Sequence, residues 1–384
     1  TDLAGNQSSC SSTSVTYQHL AAQMVKDIKT TGGDGSSPKN FLSLGSYLYF
    51  NASDGLLGNE LWRTDGSGSG TIILADINPS GSSNPSNLTL ADSFFYFTAS
   101  DGTNGTELWI SDGTVAGTVM LKDIADGGAS SSPTSLTLVG STLYFLADDA
   151  INGRELWKSD GTTSGTVMVK DIIAGAGTPA TLTIARAAGS KLFFIADDGT
   201  NGAELWVSDG TESGTFLVKD INTTANTGAT LSSSVMVSLG SLLIFRATDS
   251  TTGAELWVSD GTSSGTFALA DINAGSNSST PASLTVMGSY VYFSATDGGA
   301  NYGSELFRTD GTIAGTGLAA NIRSGTSSSS PTSFVVNSGV LYLRATDSSG
   351  AELWKFDGST ATRIKDINPG SGSSTPSSLT AVGS

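Results

Sequence analysis

Between Ser135 and Ile172 short apolar runs alternate with polar turn signals, and the same alternation recurs along nearly the whole chain. Ser135-Leu136-Thr137-Leu138-Val139 reads as a first strand, turned by Gly140-Ser141. Thr142 to Ala147, TLYFLA, is apolar and aromatic enough for burial on both faces. The polar tip Asp148 to Gly153 leads back into a third strand, Arg154 to Ser159; Asp160 to Gly165 makes another hairpin, and Thr166 to Ile172 is the fourth strand. Four antiparallel strands followed by a Gly/Ser/Pro-rich crossing form one blade of a β-propeller, with the first strand near the axis and the fourth at the rim. A parallel β-helix is the minor alternative; its coils are shorter and lack paired hairpin signals.

The period is read most clearly from the third strand. Glutamates stand at Glu60, Glu107, Glu155, Glu204, Glu255, Glu305 and Glu352, at spacings of 47, 48, 49, 51, 50 and 47 residues. A period in that range, made of short strands, marks a propeller or similar array. All six tryptophans occupy one slot, Trp62, Trp109, Trp157, Trp206, Trp257 and Trp354, with Phe307 in the remaining copy. Such an aromatic is expected to fill the wedge between twisted sheets, each burial contributing about 1.5–3 kcal/mol or more. Exposed sugar-stacking rings are the weaker reading. Asp65, Asp112, Asp160, Asp209, Asp260, Asp310 and Asp357 open the following Asp-Gly hairpins, where Asp bonds nearby amides and Gly accepts positive φ.

That hairpin predicts a register. With Ser159 opposite Thr166, Trp157 faces Met168 and Glu155 faces Lys170; the same count pairs Glu107 with Lys122, Glu204 with Lys219 and Glu352 with Lys365. Ala75, Ala270 and Ala320 occupy the lysine position in other copies, so each glutamate is also expected to accept hydrogen bonds from amides of an adjoining loop.

The fourth-strand Asp recurs at Asp27, Asp76, Asp123, Asp171, Asp220, Asp271 and Asp366, with Asn321 in the remaining slot. The 18 residues beyond Asp366 and the 27 through Asp27 together make 45, one short repeat. Ser377 to Val382 resembles a first strand, Met24 to Ile28 a fourth, and Ser14 to His19 a degenerate third. The sequence therefore predicts one domain over 1–384: seven repeats over 29–367, and an eighth blade closed by 1–28 and 368–384, which removes exposed sheet edges. A seven-bladed ring with extra terminal strands is the alternative, and exchange of terminal strands between molecules would give a homopolymer.

Composition narrows the partners. Thirty-five acids against eighteen bases give a net charge of −17, which disfavours nucleic acid and anionic membrane surfaces. No apolar run is long enough for a membrane helix, and the first residues lack a basic and apolar leader, so any export signal is expected to have been removed. Low charge with abundant Ser, Thr, Asn and Gly favours a secreted or cell-surface protein. Cys10 is alone and reads as an incidental thiol.

No catalytic constellation rises above the repeats. His19 is the sole histidine and reads as a strand residue rather than a base or metal ligand, and no serine or carboxylate pair is singled out. The tips Asp101 to Glu107 and Asp198 to Glu204 offer oxygen ligands for calcium, but they match no EF-hand loop and read first as structural turns, so no cofactor is expected and calcium is kept as the alternative. Six N-x-S/T sequons begin at Asn6, Asn51, Asn87, Asn104, Asn222 and Asn277.

Glu-Leu-Trp-x-x-Asp-Gly-Thr stands at Glu107 to Thr114, Glu155 to Thr162, Glu204 to Thr211 and Glu255 to Thr262, with variants at Glu60 to Ser67, Glu305 to Thr312 and Glu352 to Ser359. This signature resembles that of the bacterial ELWxxDGT-repeat family. The resemblance implies an exported or surface protein with no established enzymatic activity. The resulting expectation is a noncatalytic extracellular scaffold or binding module, structural or adhesive, with a protein, a glycan or a second copy as partner. The competing expectation is a polysaccharide-active hydrolase or lyase using the central depression.

Overall fold

The predicted hairpins form a regular array of sheets. The computed structural model describes residues 22–382 except 31, 33, 176, 178, 180, 225 and 226. These residues form seven four-stranded antiparallel sheets, each with its strands in sequence order. We number the blades 1 to 7, over 39–75, 86–122, 134–170, 182–219, 236–270, 282–320 and 332–365. In blade 3 the strands are Thr134–Val139, Thr142–Asp148, Arg154–Ser159 and Val167–Lys170. Blade 5 departs from this pattern: a short 3₁₀ turn, Ser233–Val235, leads into an inner strand of four residues.

Inner strands of consecutive blades pack against one another from blade 1 through blade 7, as in a β-propeller. The inner strand of blade 7 does not pack on that of blade 1 in the way the six consecutive pairs do. The expectation of eight blades is thus corrected to seven among the described residues. Met24 to Ile28 and Ser377 to Val382 carry no strand, and Cys10, Ser14 to His19 and the rest of 1–21 lie outside the described residues.

The core lies between blades. On the third strand Trp157 and Leu156 point to opposite faces, as successive strand residues must. Trp157 joins Leu143, Phe145 and Ala147 against Tyr96, Leu108, Leu121 and Ile124 of blade 2. Leu156 joins Tyr144, Leu146 and Val169 against Leu192, Phe194 and Trp206 of blade 4. The same division holds at all six interfaces: a tryptophan face meets the preceding blade and a leucine face meets the next. Phe307 fills the slot between blades 5 and 6. Within each blade the ring sits opposite another large apolar residue, as Phe145 does for Trp157 and Leu343 for Trp354.

Replacing Trp157 by Ala should open this wedge and lower stability by about 3–5 kcal/mol, whereas Trp157→Phe should cost far less. Denaturant unfolding of the two variants checks the order.

Candidate functional site

The feature common to every blade is a carboxylate buried at the end where the crossing leaves for the next blade. Glu60, Glu107, Glu155, Glu204, Glu255, Glu305 and Glu352 have no measurable exposure. Each stands opposite an alanine of the second strand, for example Ala99 for Glu107 and Ala147 for Glu155, and the small neighbour leaves the longer side chain room. In blade 2, Glu107 Oε2 accepts from Ile124 N at 3.0 Å and Ser131 Oγ at 2.5 Å, and Oε1 accepts from Ser131 N at 2.8 Å. Ser83, Ser279, Ser329 and Ser374 repeat this arrangement at Glu60, Glu255, Glu305 and Glu352. The glutamate therefore ties the start and the end of the crossing to the third strand.

Two glutamates lack the seryl donor. Glu155 Oε2 accepts from Ile172 N and Glu204 Oε1 from Asn222 N, both at 3.1 Å, while Glu155 Oε1 and Glu204 Oε2 have no partner. Burial pushes Glu155 up to about 8, opposed by its amide bond from Ile172 and assisted by Asp171. It pushes Glu204 up to about 7. Glu60, Glu107, Glu255 and Glu305 are also raised by burial, opposed first by their serine hydroxyls. At Glu352 the Ser374 hydroxyl bond outweighs burial and holds the carboxyl below its usual value.

The expected Glu–Lys pairs do not form. Trp157 faces Met168, but a bulge intervenes and Leu156, not Glu155, faces Lys170. The same shift sets Leu108 opposite Lys122, Leu205 opposite Lys219 and Leu353 opposite Lys365. Two of the displaced lysines reach forward instead. Lys122 Nζ donates to Thr166 O at 2.8 Å and lies 5.7 Å from the Trp157 ring; Lys219 does the same to Thr266 O and Trp257.

The Asp-Gly hairpins are closed by their own aspartates. Asp112 Oδ1 accepts from both the amide and the hydroxyl of Thr114, which hold its carboxyl below the usual range. Asp65, Asp160, Asp209, Asp260 and Asp310 repeat this with Ser67, Thr162, Thr211, Thr262 and Thr312, and Asp357 does so with Ser359. A Cβ on Gly117 would collide with the Asp112 carboxylate, which explains the glycine five residues after the aspartate. At the opposite tips Asp101 accepts from the amides of Thr103 and Asn104 and from Asn104 Nδ2, and Asp198 binds its loop alike. The oxygens considered for calcium are thus engaged by their own turns. Among the described residues no group of three or more His, Cys, Asp or Glu side chains is placed to hold a metal ion. The sequons at Asn51 and Asn222 are buried.

The seryl ends of the crossings went unread in the sequence. Their signal is the residue two before Pro in segments such as Ser131-Ser132-Pro133 and Ser279-Thr280-Pro281.

No family model matches this chain. No curated protein matches it either. Among solved structures, the β-propeller domain of the Trilobed protease from Pyrococcus furiosus, described as having an open velcro topology, is 11% identical at a TM-score of 0.38, covering 87% of this chain and 96% of that one. Oligopeptidase B from Leishmania major is 12% identical at 0.42, covering 87% and 49%, and the acylaminoacyl peptidase of Pyrococcus horikoshii is 12% identical at 0.36, covering 86% and 52%. The chain spans about half the length of these last two. The expectations of a noncatalytic scaffold and of no enzymatic activity are corrected by these neighbours, whose propellers belong to peptidases, and both are withdrawn. At this identity the likeness concerns the fold and assigns the chain no reaction.

Replacing Glu107 by Ala should cost about 1–3 kcal/mol for each buried amide left unpaired, and Ser131→Ala about 1 kcal/mol. Chemical denaturation of both variants measures the difference.

Proposed function

We infer that the chain is an exported, self-associating propeller of the ELWxxDGT-repeat kind. Its ring has eight blade positions, the eighth shared between its two ends, and its partner is a second copy. The observation behind this reading is that both ends of the described residues repeat the internal blade geometry outside the seven sheets.

At one end, Lys26 Nζ donates to Thr71 O at 2.7 Å, the contact that Lys122 makes to Thr166 and Lys219 to Thr266 in the following blade. Ile28 packs on Phe50, Ala52 and Trp62 as Ile124 packs on Phe145, Ala147 and Trp157. Residues 24–28 thus stand where the fourth strand of a preceding blade would be. At the other end, Thr375 and Ser378 have φ of 46° and 53°, matching the pair Ser330 and Ser333 at 46° and 58° that opens the inner strand of blade 7. Leu379, Thr380 and Ala381 lie beside Val335, Tyr342 and Leu353 of that blade.

The faces flanking this position are two halves of one interface. Blade 1 offers the tryptophan side, and blade 7 the leucine side, where Ile364 and Ile367 are 44% and 53% exposed although Val169 and Ile124, their counterparts within the array, are only 5% and 7% exposed. An end segment that fits its own opening fits the identical opening of a neighbour, and such a heterologous contact propagates head to tail. The low charge and the Ser/Thr/Asn/Gly-rich composition support an exported location.

Light scattering across a dilution series should show multiples of the 38.9 kDa chain that survive dilution, and Ile28→Asp, placed outside the seven sheets, should remove them. A monomer mass at every concentration contradicts self-association.

A further inference from the structure

The seven buried glutamates are not equivalent, and the two exceptions are neighbours. In five blades a serine hydroxyl and one or more amides saturate the carboxyl. After blade 3, alignment on Pro179 puts Gly177 where Ser131 stands one blade earlier. After blade 4 the place belongs to Ala229, whose carbonyl accepts from Thr248 N as that of Ser279 accepts from Thr296 N. Neither residue can donate a hydroxyl hydrogen bond, and each glutamate is left with one oxygen unpartnered in a sealed site.

We propose that Glu155 and Glu204 are proton-dependent latches: protonated, they hold the starts of the crossings that follow blades 3 and 4, at Ile172 and Asn222, and on ionisation they release them. The physical reason is that an ionised carboxylate in such a site lacks the donors that five of its counterparts enjoy, so it is stabilised by moving toward water. The surrounding charges act in the same direction. Asp149 on the tip and Asp171 at the end of the fourth strand face Glu155, and Asp220 faces Glu204. Arg154, next to Glu155, reaches to Ser132 O of the preceding crossing and to Thr134 Oγ1 at the start of the inner strand of blade 3.

The sign follows from linkage. Both carboxyls titrate higher in the folded protein than in an opened chain, so the hold they provide is complete below the ordinary glutamate range. It is lost as pH rises through about 7 for Glu204 and about 8 for Glu155. The alkaline side therefore loosens the crossings after blades 3 and 4 more than those after blades 2 and 5, where serine donors oppose the effect of burial.

Hydrogen exchange of the intact protein, resolved by peptide between pH 6 and 9, tests this. Relative to the matching stretches after blades 2 and 5, residues 172–175 and 221–224 should gain roughly tenfold or more in exchange beyond the intrinsic base-catalysed rise. Glu155→Gln and Glu204→Gln, which keep the shape without the charge, should abolish the excess in their own crossing only. Ala229→Ser, which restores a hydroxyl, should reduce it at Glu204 alone. Equal pH dependence in all four crossings, or an excess that persists in the glutamine variants, overturns the proposal.

Discussion

A carboxyl group cut off from water needs donors, and the need is met here by bringing two ends of a loop to one side chain. Glu107 collects Ile124 N where the fourth strand ends and Ser131 where the next inner strand is about to begin. The crossing from rim to axis is thereby fixed at both ends, and with it the angle at which one sheet delivers the chain to the next. Loops of Gly, Ser and Pro have little apolar surface with which to order themselves. In five of the seven copies this one acceptor holds both ends of the loop.

Fixed crossings make the interfaces alike. A tryptophan face meets a leucine face five times and Phe307 takes the tryptophan's place once, with Lys122 and Lys219 adding a polar tie across two of the interfaces. Because each blade depends on neighbours for burial, the array has no natural terminus, and a terminal blade exposes half of an interface. Ile364 and Ile367 show this on blade 7. On blade 1, Lys26 and Ile28 cover the corresponding half in the manner of a preceding blade.

Much of this architecture was legible in the sequence. The Glu, Trp and Asp-Gly positions gave the period and the strands, because alternating burial and turn chemistry are local properties of a strand and a hairpin. The pairing of Trp157 with Met168 was also legible. The glutamate–lysine pairs were misread because a bulge between Leu156 and Trp157 adds a residue, and no turn signal announces it. The loop amides that donate to the glutamates were anticipated, but the serine hydroxyl was not, because Ser131 lies 24 residues away in a run of serines, where burial rather than residue type distinguishes one from the next. Blade number could not be read from period alone: seven repeats form sheets, whereas Met24 to Ile28 and Ser377 to Val382, expected as strands of an eighth blade, carry none. Function was least legible: tip and hairpin aspartates such as Asp101 and Asp112, which offered oxygen ligands, are engaged by their own turns.

The central claim is the proposal that the blade-to-blade arrangement continues between blades 7 and 1, with residues 24–28 in the place that a fourth strand takes in the other blades. Backbone amide protection at Val25 to Ile28 in the native protein tests it most directly. The account predicts protection comparable to that of Val119 to Lys122, the fourth strand of blade 2. Exchange at these amides as fast as in an exposed chain would contradict it.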